Sequence, residues 1–521
     1  MSIVLLAALT LGAFCTEPAF AESGEQTEVH MGQTVKVGLK YGSNAVSGFT
    51  LSCDSGFCVV SYSADGNMPV LQRISQTELD IVADGGSVSV KDSSTGEIVL
   101  EGMTTGNVIL PYFYSEGYNM TIDGTAYRGG AMYTLESNGN MNLINLLNID
   151  DYVCGVLPSE IGGGSPLETI KAQAVAARSY ALVAASEGGN HAAQGFDVCP
   201  STHCQVYRGI KSENENCNLA AKETAGLCLY YEGKPVQGYY AKNSGGYTQN
   251  VEDVWSSKLG YLRAVPDPYC PEYPWEKEYS FNELENKLTS AGKRVGTLEK
   301  VEITELSDNG NVKTITFTGS NGSVSYSKYN LRSFFGSSDV KSTMFRFDGA
   351  TEYVEVSKSG AVVTVPRENA SSGSSSAGSS DGVLMMKSLF LQNAAGAMQK
   401  ANKNEAYVVS ASGDVIKVYA DRGNGIYAVN ATGKKYLINA TGKEDSDDTD
   451  AGNVSSDTVK ITTVTGKTVE TSGTLHIYGL GYGHGIGLQQ DGAIAMGKLG
   501  WSYEKILKYY YTDIEIRDCA N

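Results

Sequence analysis

Apolar side chains recur at helical spacing along Leu167, Ile170, Ala174, Ala177 and Ala181, with further alanines around them. The pattern predicts a small-residue helix that can pack very close to its neighbours. Its start carries Ser165 as N-cap, Pro166 at the first helical position and Glu168 where a capping-box acid belongs. Glu160 precedes it on a glycine-rich turn. Upstream, residues 30 to about 145 read as β-rich: Val35-Lys36-Val37-Gly38-Leu39 and Ser87-Val88-Ser89-Val90 alternate, and Cys53 and Cys58 flank a glycine-containing turn. A strand from Asn142 to Leu147 leads into the Glu160 segment. Downstream, helical pattern covers 166–187 and 217–226, and strand alternation covers 227–231, 299–305, 312–318 and 353–365.

A Ser/Gly-rich stretch from Ala370 to Gly382 reads as a flexible linker. Helical character follows over Val383–Lys400, then alternating strands over 406–439. A short repeat, Asn430-Ala431-Thr432-Gly433-Lys434 and Asn439-Ala440-Thr441-Gly442-Lys443, suggests two similar turns. The acidic stretch holding Glu444, Asp445, Asp447, Asp448 and Asp450 reads as a second, solvated linker.

With 521 residues the chain has room for two or three domains. A net charge of −18 argues against nucleic acid as a partner, since phosphate binding needs clustered Lys and Arg. There is no apolar run of membrane-spanning length, which speaks against a transmembrane helix in the mature chain. The N-terminus is apolar from Ile3 to Phe14 and reaches Ala19-Phe20-Ala21, an h-region and an Ala-x-Ala site. Residues 1–21 are therefore expected to be a signal peptide, although the usual preceding basic residues are missing. Phe14 is too large to precede a lipidated Cys15. Beyond that segment lie Cys53, Cys58, Cys154, Cys199, Cys204, Cys217, Cys228, Cys270 and Cys519, an odd set for an exported chain.

Three blocks carry a family resemblance. The first is Tyr152, Gly155, Val156, Ser159 and Glu160, then Lys171-Ala172-Gln173-Ala174-Val175-Ala176-Ala177-Arg178-Ser179-Tyr180. The second is Asn243-Ser244-Gly245-Gly246-Tyr247-Thr248, followed by Trp255, Tyr261 and Leu262. The third runs from Gly481 through His484 and Gln489 to Ala493, followed by Trp501-Ser502-Tyr503 and Tyr509-Tyr510. In this order they resemble the SpoIID/LytB domain. The resemblance implies an α+β fold: a mixed helix/sheet catalytic domain in two parts, 146–369 and 459–521. A β-rich N-terminal module over 30–145 precedes it, and a linker-flanked small α+β insertion over 370–458 divides it.

The resemblance also implies peptidoglycan lytic transglycosylase activity on strands stripped of stem peptides, with Glu160 as the catalytic acid. A glycosidase ordinarily needs two carboxylates, and only Asp491 and Glu252 offer themselves as a second. One acid suffices if the C6 hydroxyl of N-acetylmuramic acid attacks its own C1, with Glu160 acting as general acid and then base. That role calls for partial burial near Val156, Leu157 and Ile161 to raise its pKa. The reading of Glu160 as an ordinary solvated carboxylate stands against this.

Candidate substrate contacts are Ser244, with Gly245 and Gly246 supplying backbone donors, Tyr261, His484 and Gln489; Tyr247 and Trp255 offer stacking faces. For His484 a bond to a turn carbonyl is the alternative to a groove contact, and Arg178 is expected to pair with a buried acid rather than to meet the lactyl carboxylate of the substrate. His191, Cys199, His203 and Cys204 stand at a short spacing that can supply the tetrahedral N/S shell of structural zinc, and the run from Asp197 to Tyr207, which holds the last three, is similar to one of clostridial-type members for which the resemblance implies zinc. A Cys199–Cys204 disulfide is the competing reading. The chemistry itself requires no cofactor. Expected partners are peptidoglycan strands and, on the LytB side of the resemblance, an N-acetylmuramoyl-L-alanine amidase that the protein would stimulate without catalysis. A wall scaffold or adhesin is the third reading.

Overall fold

The computed structural model describes residues 27–347, apart from 85, 256 and 268, and residues 468–519; between 351 and 464 it describes strand backbones alone. The expected signal peptide, the 370–382 linker, the repeated turns and the acidic stretch lie outside the described residues.

Alternation along the N-terminal third becomes two antiparallel sheets. One orders strands 28–30, 67–74, 57–61, 107–111, 130–135, 141–148 and 34–40; the other orders 125–127, 120–122, 48–52, 78–84, 87–92 and 98–100. Their facing side chains, among them Phe49, Leu51, Ile81 and Val90 against Phe57, Val59, Ile109 and Leu143, share one core. The first sheet is covered on its other face too, where Val60, Leu110, Ile144 and Leu146 meet Phe196. Strand Met141–Asn148 is accordingly buried over almost its whole length. It runs without a break into the first helix.

Helices α1 (Ile149–Glu160), α2 (Leu167–Glu187), α3 (Glu215–Glu223), α4 (Val251–Val254), α5 (Phe281–Ser290), α6 (Tyr329–Phe335), α7 (Gln490–Lys498) and α8 (Tyr503–Tyr510) follow. Helix α1 corrects the expected turn: Glu160 is the last residue of a helix. The Asn148 side chain caps its start by accepting from the Asp150 N–H at 2.7 Å. Gly155 and Pro158 lie inside it. At position 155 a Cβ would overlap the Tyr207 ring, so the glycine serves packing rather than a turn. The expected capping box at α2 is absent as well. Ser165 Oγ donates back to the Ile161 carbonyl at 2.8 Å, and the Pro166 carbonyl accepts the first helical bonds. Glu168 instead accepts from the Tyr503 N–H at 2.8 Å and pairs with Lys171.

Helix α2 is the hub. Its predicted apolar face is buried apart from the half-buried Leu167, and so are Ala172, Gln173, Val175, Ala176, Arg178 and Ser179 outside that face. It packs on α1, α3, α7, α8 and strand Leu227–Tyr231. Thr169 Oγ1 donates to the Ala493 carbonyl at 2.9 Å, which ties α7 to its first turn. Strand Leu227–Tyr231 pairs with Glu515–Asp518, and Tyr240–Ala241 pairs in parallel with Leu488–Gln489. These ladders join the middle and closing segments of the chain beside α2.

A second core surrounds α5, α6 and strands 298–306, 312–319 and 322–327. Strand Thr474–Leu480 lies between Pro274–Ser280 and Met344–Phe347, so chain from both sides of residues 348–467 meets in one sheet. Strands at 351–357 and 362–366 match the alternation read over 353–365, and four strands lie within 406–439. The helix expected over 383–400 is not found: its described residues form paired strands Phe390–Gln392 and Met398–Lys400. A short apolar run does not by periodicity alone separate a buried helix from a strand. No helix among the described residues is long and apolar enough to cross a membrane.

Arg178, fully buried, binds Asp150 Oδ1 at 2.6 Å through Nε and the carbonyls of Leu227 (3.0 Å) and Ala221 (3.2 Å) through its terminal nitrogens. Arg178 thus pairs with an acid, but with a half-exposed one rather than the buried acid expected. Arg178→Met should lower stability by about 3 kcal/mol, because it leaves acceptors in the core without a donor. Asp150→Asn, at a half-solvated position, should lose less. Thermal unfolding of the two variants checks this, and an unchanged midpoint for Arg178→Met would refute it.

Candidate functional site

Glu160 closes α1 with its carboxylate half-buried between two segments that are distant in sequence. The Val206 N–H donates to Glu160 Oε1 at 2.8 Å. Side-chain bonds from Gln490, on α7, and Tyr240, on the parallel ladder, complete its surroundings. Tyr240 is fixed in turn: Gln205 Nε2 donates to its hydroxyl at 3.1 Å, while Gln205 Oε1 accepts from the Tyr152 hydroxyl at 3.1 Å. Burial raises the pKa of Glu160, and the bonds from Val206, Gln490 and Tyr240 only partly oppose it. The shift runs in the direction a proton donor requires.

Tyr240, Gln205, Val206 and Gln490 escaped the sequence reading. Gln490 was within reach of it, as the neighbour of Gln489 in the closing block. The two alternative carboxylates are held in ion pairs: Asp491 by Lys242 at 2.7 Å, with Asn243 Nδ2 also donating to it at 2.9 Å, and Glu252 by both terminal nitrogens of Arg263.

The middle block does not present its backbone to a ligand as expected. The Gly245 N–H donates to Asn243 Oδ1 at 3.0 Å and the Gly246 N–H to Ser244 Oγ at 3.1 Å, so both donors are used inside the turn. Gly245, at φ +69°, is needed because a Cβ would press on the Leu480 carbonyl. Ser244 is buried and bonds to Asp267, whose pKa burial raises to about 7 and whose carboxylate also accepts from the Tyr510 hydroxyl at 3.1 Å. Tyr261 is a core residue as well, packed on Tyr231 with its hydroxyl on the Gln237 carbonyl at 3.2 Å. Its polar tip finds a partner inside the fold, as buried tyrosines do.

The closing block divides. Gln489 is fully buried, with Nε2 on the Gly487 carbonyl at 3.0 Å and Oε1 without a protein partner. His484 is held by its own turn: Nδ1 accepts from the Ile486 N–H at 3.1 Å, and the ring also bonds to the Tyr240 backbone. Burial, then the charge of Arg332, lower its pKa to about 4, so the imidazole is neutral near pH 7. It lies against Trp255, ring centroids 5.1 Å apart.

His191, Cys199, His203 and Cys204 converge, with one donor atom from each inside a 4.8 Å cluster. His203 Nδ1 lies 3.2 Å from His191 Nε2 and 3.6 Å from each of the sulfurs. A tetrahedral shell with zinc's usual bond lengths sets neighbouring donors roughly 3.3–3.8 Å apart, so this donor set fits the ion. Gln194 Oε1 contacts His191 Nδ1 at 2.9 Å, an outer partner that would orient the ring. The Cys199 thiol is pulled down in pKa, chiefly by its bond from Cys204, which favours the thiolate a metal takes. Both thiols are unlinked. Gln205 and Val206 follow Cys204 directly, so whatever braces these four side chains also sets the segment that contacts Glu160.

Residues 137–231 match the family model described as Stage II sporulation protein, SpoIID. The chain carries a SpoIID domain. The matched span holds Glu160, α2, the His/Cys cluster and strand Leu227–Tyr231. Over 172 residues the chain is 37% identical to an uncharacterized protein of Brachyspira hyodysenteriae, covering 33% of this chain and 46% of that protein. It is 27% identical to the amidase enhancer of Bacillus subtilis over 436 residues, 82% of this chain and 50% of the relative. To stage II sporulation protein D of the same bacterium it is 29% identical over 155 residues, 27% of this chain and 45% of the other. The chain thus spans about half the length of the curated relatives it matches.

The raised pKa of Glu160 fixes a sign within the SpoIID domain. A carboxyl whose folded pKa exceeds its unfolded value stabilises the fold below the unfolded pKa and loses that contribution as pH rises through the folded one. Glu160→Gln should therefore unfold at a higher temperature than wild type at pH 7. That difference should close below about pH 4, where unfolded glutamate is itself protonated. Melting curves across pH 3–8 test this; a variant less stable at pH 7 contradicts it.

Proposed function

We propose that this protein is an exported peptidoglycan lytic transglycosylase that cleaves the MurNAc–GlcNAc bond of stem-peptide-free strands. The observation that carries the reading is Glu160, an acid with raised pKa framed by Tyr240, Gln490 and the Val206 N–H. Glu160 would give its proton to the glycosidic oxygen as the C1–O bond breaks. It would then accept the proton of the muramyl C6 hydroxyl as that oxygen bonds to C1. Water takes no part, and the product is a 1,6-anhydro end with Glu160 reprotonated. With Asp491 and Glu252 tied in ion pairs, an attack by the substrate on itself dispenses with a second carboxylate. Glu160→Gln should reduce the release of anhydro-muropeptide ends from amidase-treated sacculi by at least about 100-fold. Equal release by wild type and variant would end the enzyme reading.

The similarity to an amidase enhancer along 82% of this chain supports a second reading, a non-catalytic wall-binding stimulator of an N-acetylmuramoyl-L-alanine amidase. Under that reading wild type and Glu160→Gln would raise amidase turnover equally and neither would form anhydro ends.

His191, Cys199, His203 and Cys204 would hold a structural zinc, which supplies bracing and no step of the chemistry. Purified protein should contain about one zinc, with chelation lowering its unfolding temperature and exposing two further thiols. Protein without zinc and with Cys199 and Cys204 unreactive would point to the disulfide instead.

A further inference from the structure

A chain with net charge −18 has little basic surface to spare, yet three cations converge beside the His484 turn. Lys328 Nζ donates to the Trp255 carbonyl at 3.1 Å. Arg332, on α6, donates to the carbonyls of Val340 at 3.2 Å and Ser337 at 3.4 Å. The Lys341 ammonium lies 5.3 Å from the centre of the Tyr273 ring, and its carbonyl accepts from the Gly483 N–H at 2.9 Å. Among the described residues none of the three forms an ion pair, whereas Lys171, Lys242, Arg263 and Lys313 each hold a carboxylate.

Aromatic faces border this cluster. Tyr482, well exposed, lies 5.7 Å from Tyr273 between ring centres, and Trp255 lies against His484. Arg332 is near enough to His484 to depress its pKa, and burial lowers the pKa of the guanidinium itself. Removing a guanidinium from water without an anion is unfavourable, and its planar fork matches a carboxylate in two parallel bonds. The cluster connects to Glu160 through one residue, because Tyr240 bonds to Glu160 by its side chain and to His484 by its backbone.

We propose that Arg332 and Lys341, with Lys328 at the edge, form a carboxylate-recognition rim that binds the acidic group of a glycan strand lying across Tyr240 and His484. The proposal rests on the glycan reading of Glu160. The strand's aromatic-facing sugars would stack on Tyr482 and Trp255 while a carboxylate meets the two cations. In peptidoglycan that carboxylate is the free lactyl group of a peptide-free muramyl residue or, on an unprocessed strand, a carboxylate of the stem peptide.

The test is calorimetric binding to the full chain carrying Glu160→Gln, which prevents turnover. Three glycans of equal length serve as probes: chitotetraose, which has no carboxylate, the peptide-free GlcNAc–MurNAc tetrasaccharide, and the same tetrasaccharide with stem peptides. The peptide-free muramyl glycan should bind at least ten-fold more tightly than chitotetraose. Adding Lys341→Met, and separately Arg332→Gln, should bring that ratio toward one. Lys341→Met is the safer variant, since its butyl-like stem still covers Tyr273, and unchanged melting shows that it folds. If the peptide-bearing glycan is preferred and the same variants abolish the preference, the rim stands with stem-peptide carboxylates as its ligand. Equal binding of muramyl glycan and chitotetraose, or a ratio unmoved by both variants, overturns the rim while leaving the glycan groove intact. If no probe binds, the glycan reading of Glu160 falls and takes the rim with it.

Discussion

A full positive charge inside an alanine-rich, almost wholly buried helix is the constraint on which the rest of this fold depends. Arg178 has no contact with water, and its charge is met by Asp150 and two backbone carbonyls. Those partners come from the start of α1, from α3 and from the strand after it. The guanidinium therefore fixes three segments against α2 at once. Breaking such a set is expensive because the two carbonyls would be left in the core without this donor. The small side chains elsewhere on α2 let backbone approach: a Cβ on Gly238 would overlap the Ala176 carbonyl, and one on Gly497 would strike Thr169. Strand 240–241 and α7 thereby reach the end of α1 where Glu160 lies.

The environment of Glu160 is a balance between opposing effects. Burial disfavours the charged carboxylate, while the Val206 N–H, Gln490 and Tyr240 favour it, and burial prevails. Each donor is itself held by something else. Tyr240 depends on Gln205 and the ladder to Leu488, and Val206 depends on the His/Cys cluster that immediately precedes it. The acid is therefore tuned by segments spread from residue 150 to residue 490, and a change in any of them shifts its proton affinity.

Much of the secondary structure could be read from periodicity. Helix α2 and strand Leu227–Tyr231 fall within a residue of the expected limits, because a long amphipathic pattern and a clean alternation each admit one solution. Helix α1 was hidden because Gly155 and Pro158 are turn formers in isolation, and here the Tyr207 ring requires the glycine. The grouping of His191, Cys199, His203 and Cys204 was visible because ligand spacing is local. Ser244, Gly245, Gly246 and Tyr261 looked like ligand contacts and instead use their polar groups within the protein. A glycine that lets a ligand approach and one that lets another strand approach are identical in sequence.

The sequence by itself determined the alternation of the N-terminal sheets, the buried helix α2, the donor set at 191–204 and the choice of Glu160 as the acid of interest. The first three follow from residue types at short spacing, where local geometry decides, whereas Glu160 was singled out by the resemblance of its block to a known domain. Tertiary structure alone decided that Glu160 ends a helix, that Tyr240 and Gln490 meet it, and that Asp491 and Glu252 are neutralised. It also decided that Arg332 and Lys341 lie beside the His484 turn, where neither forms an ion pair among the described residues. These are encounters between residues tens to hundreds of positions apart, and burial and pairing at such contacts are settled only when the chain has folded around Arg178.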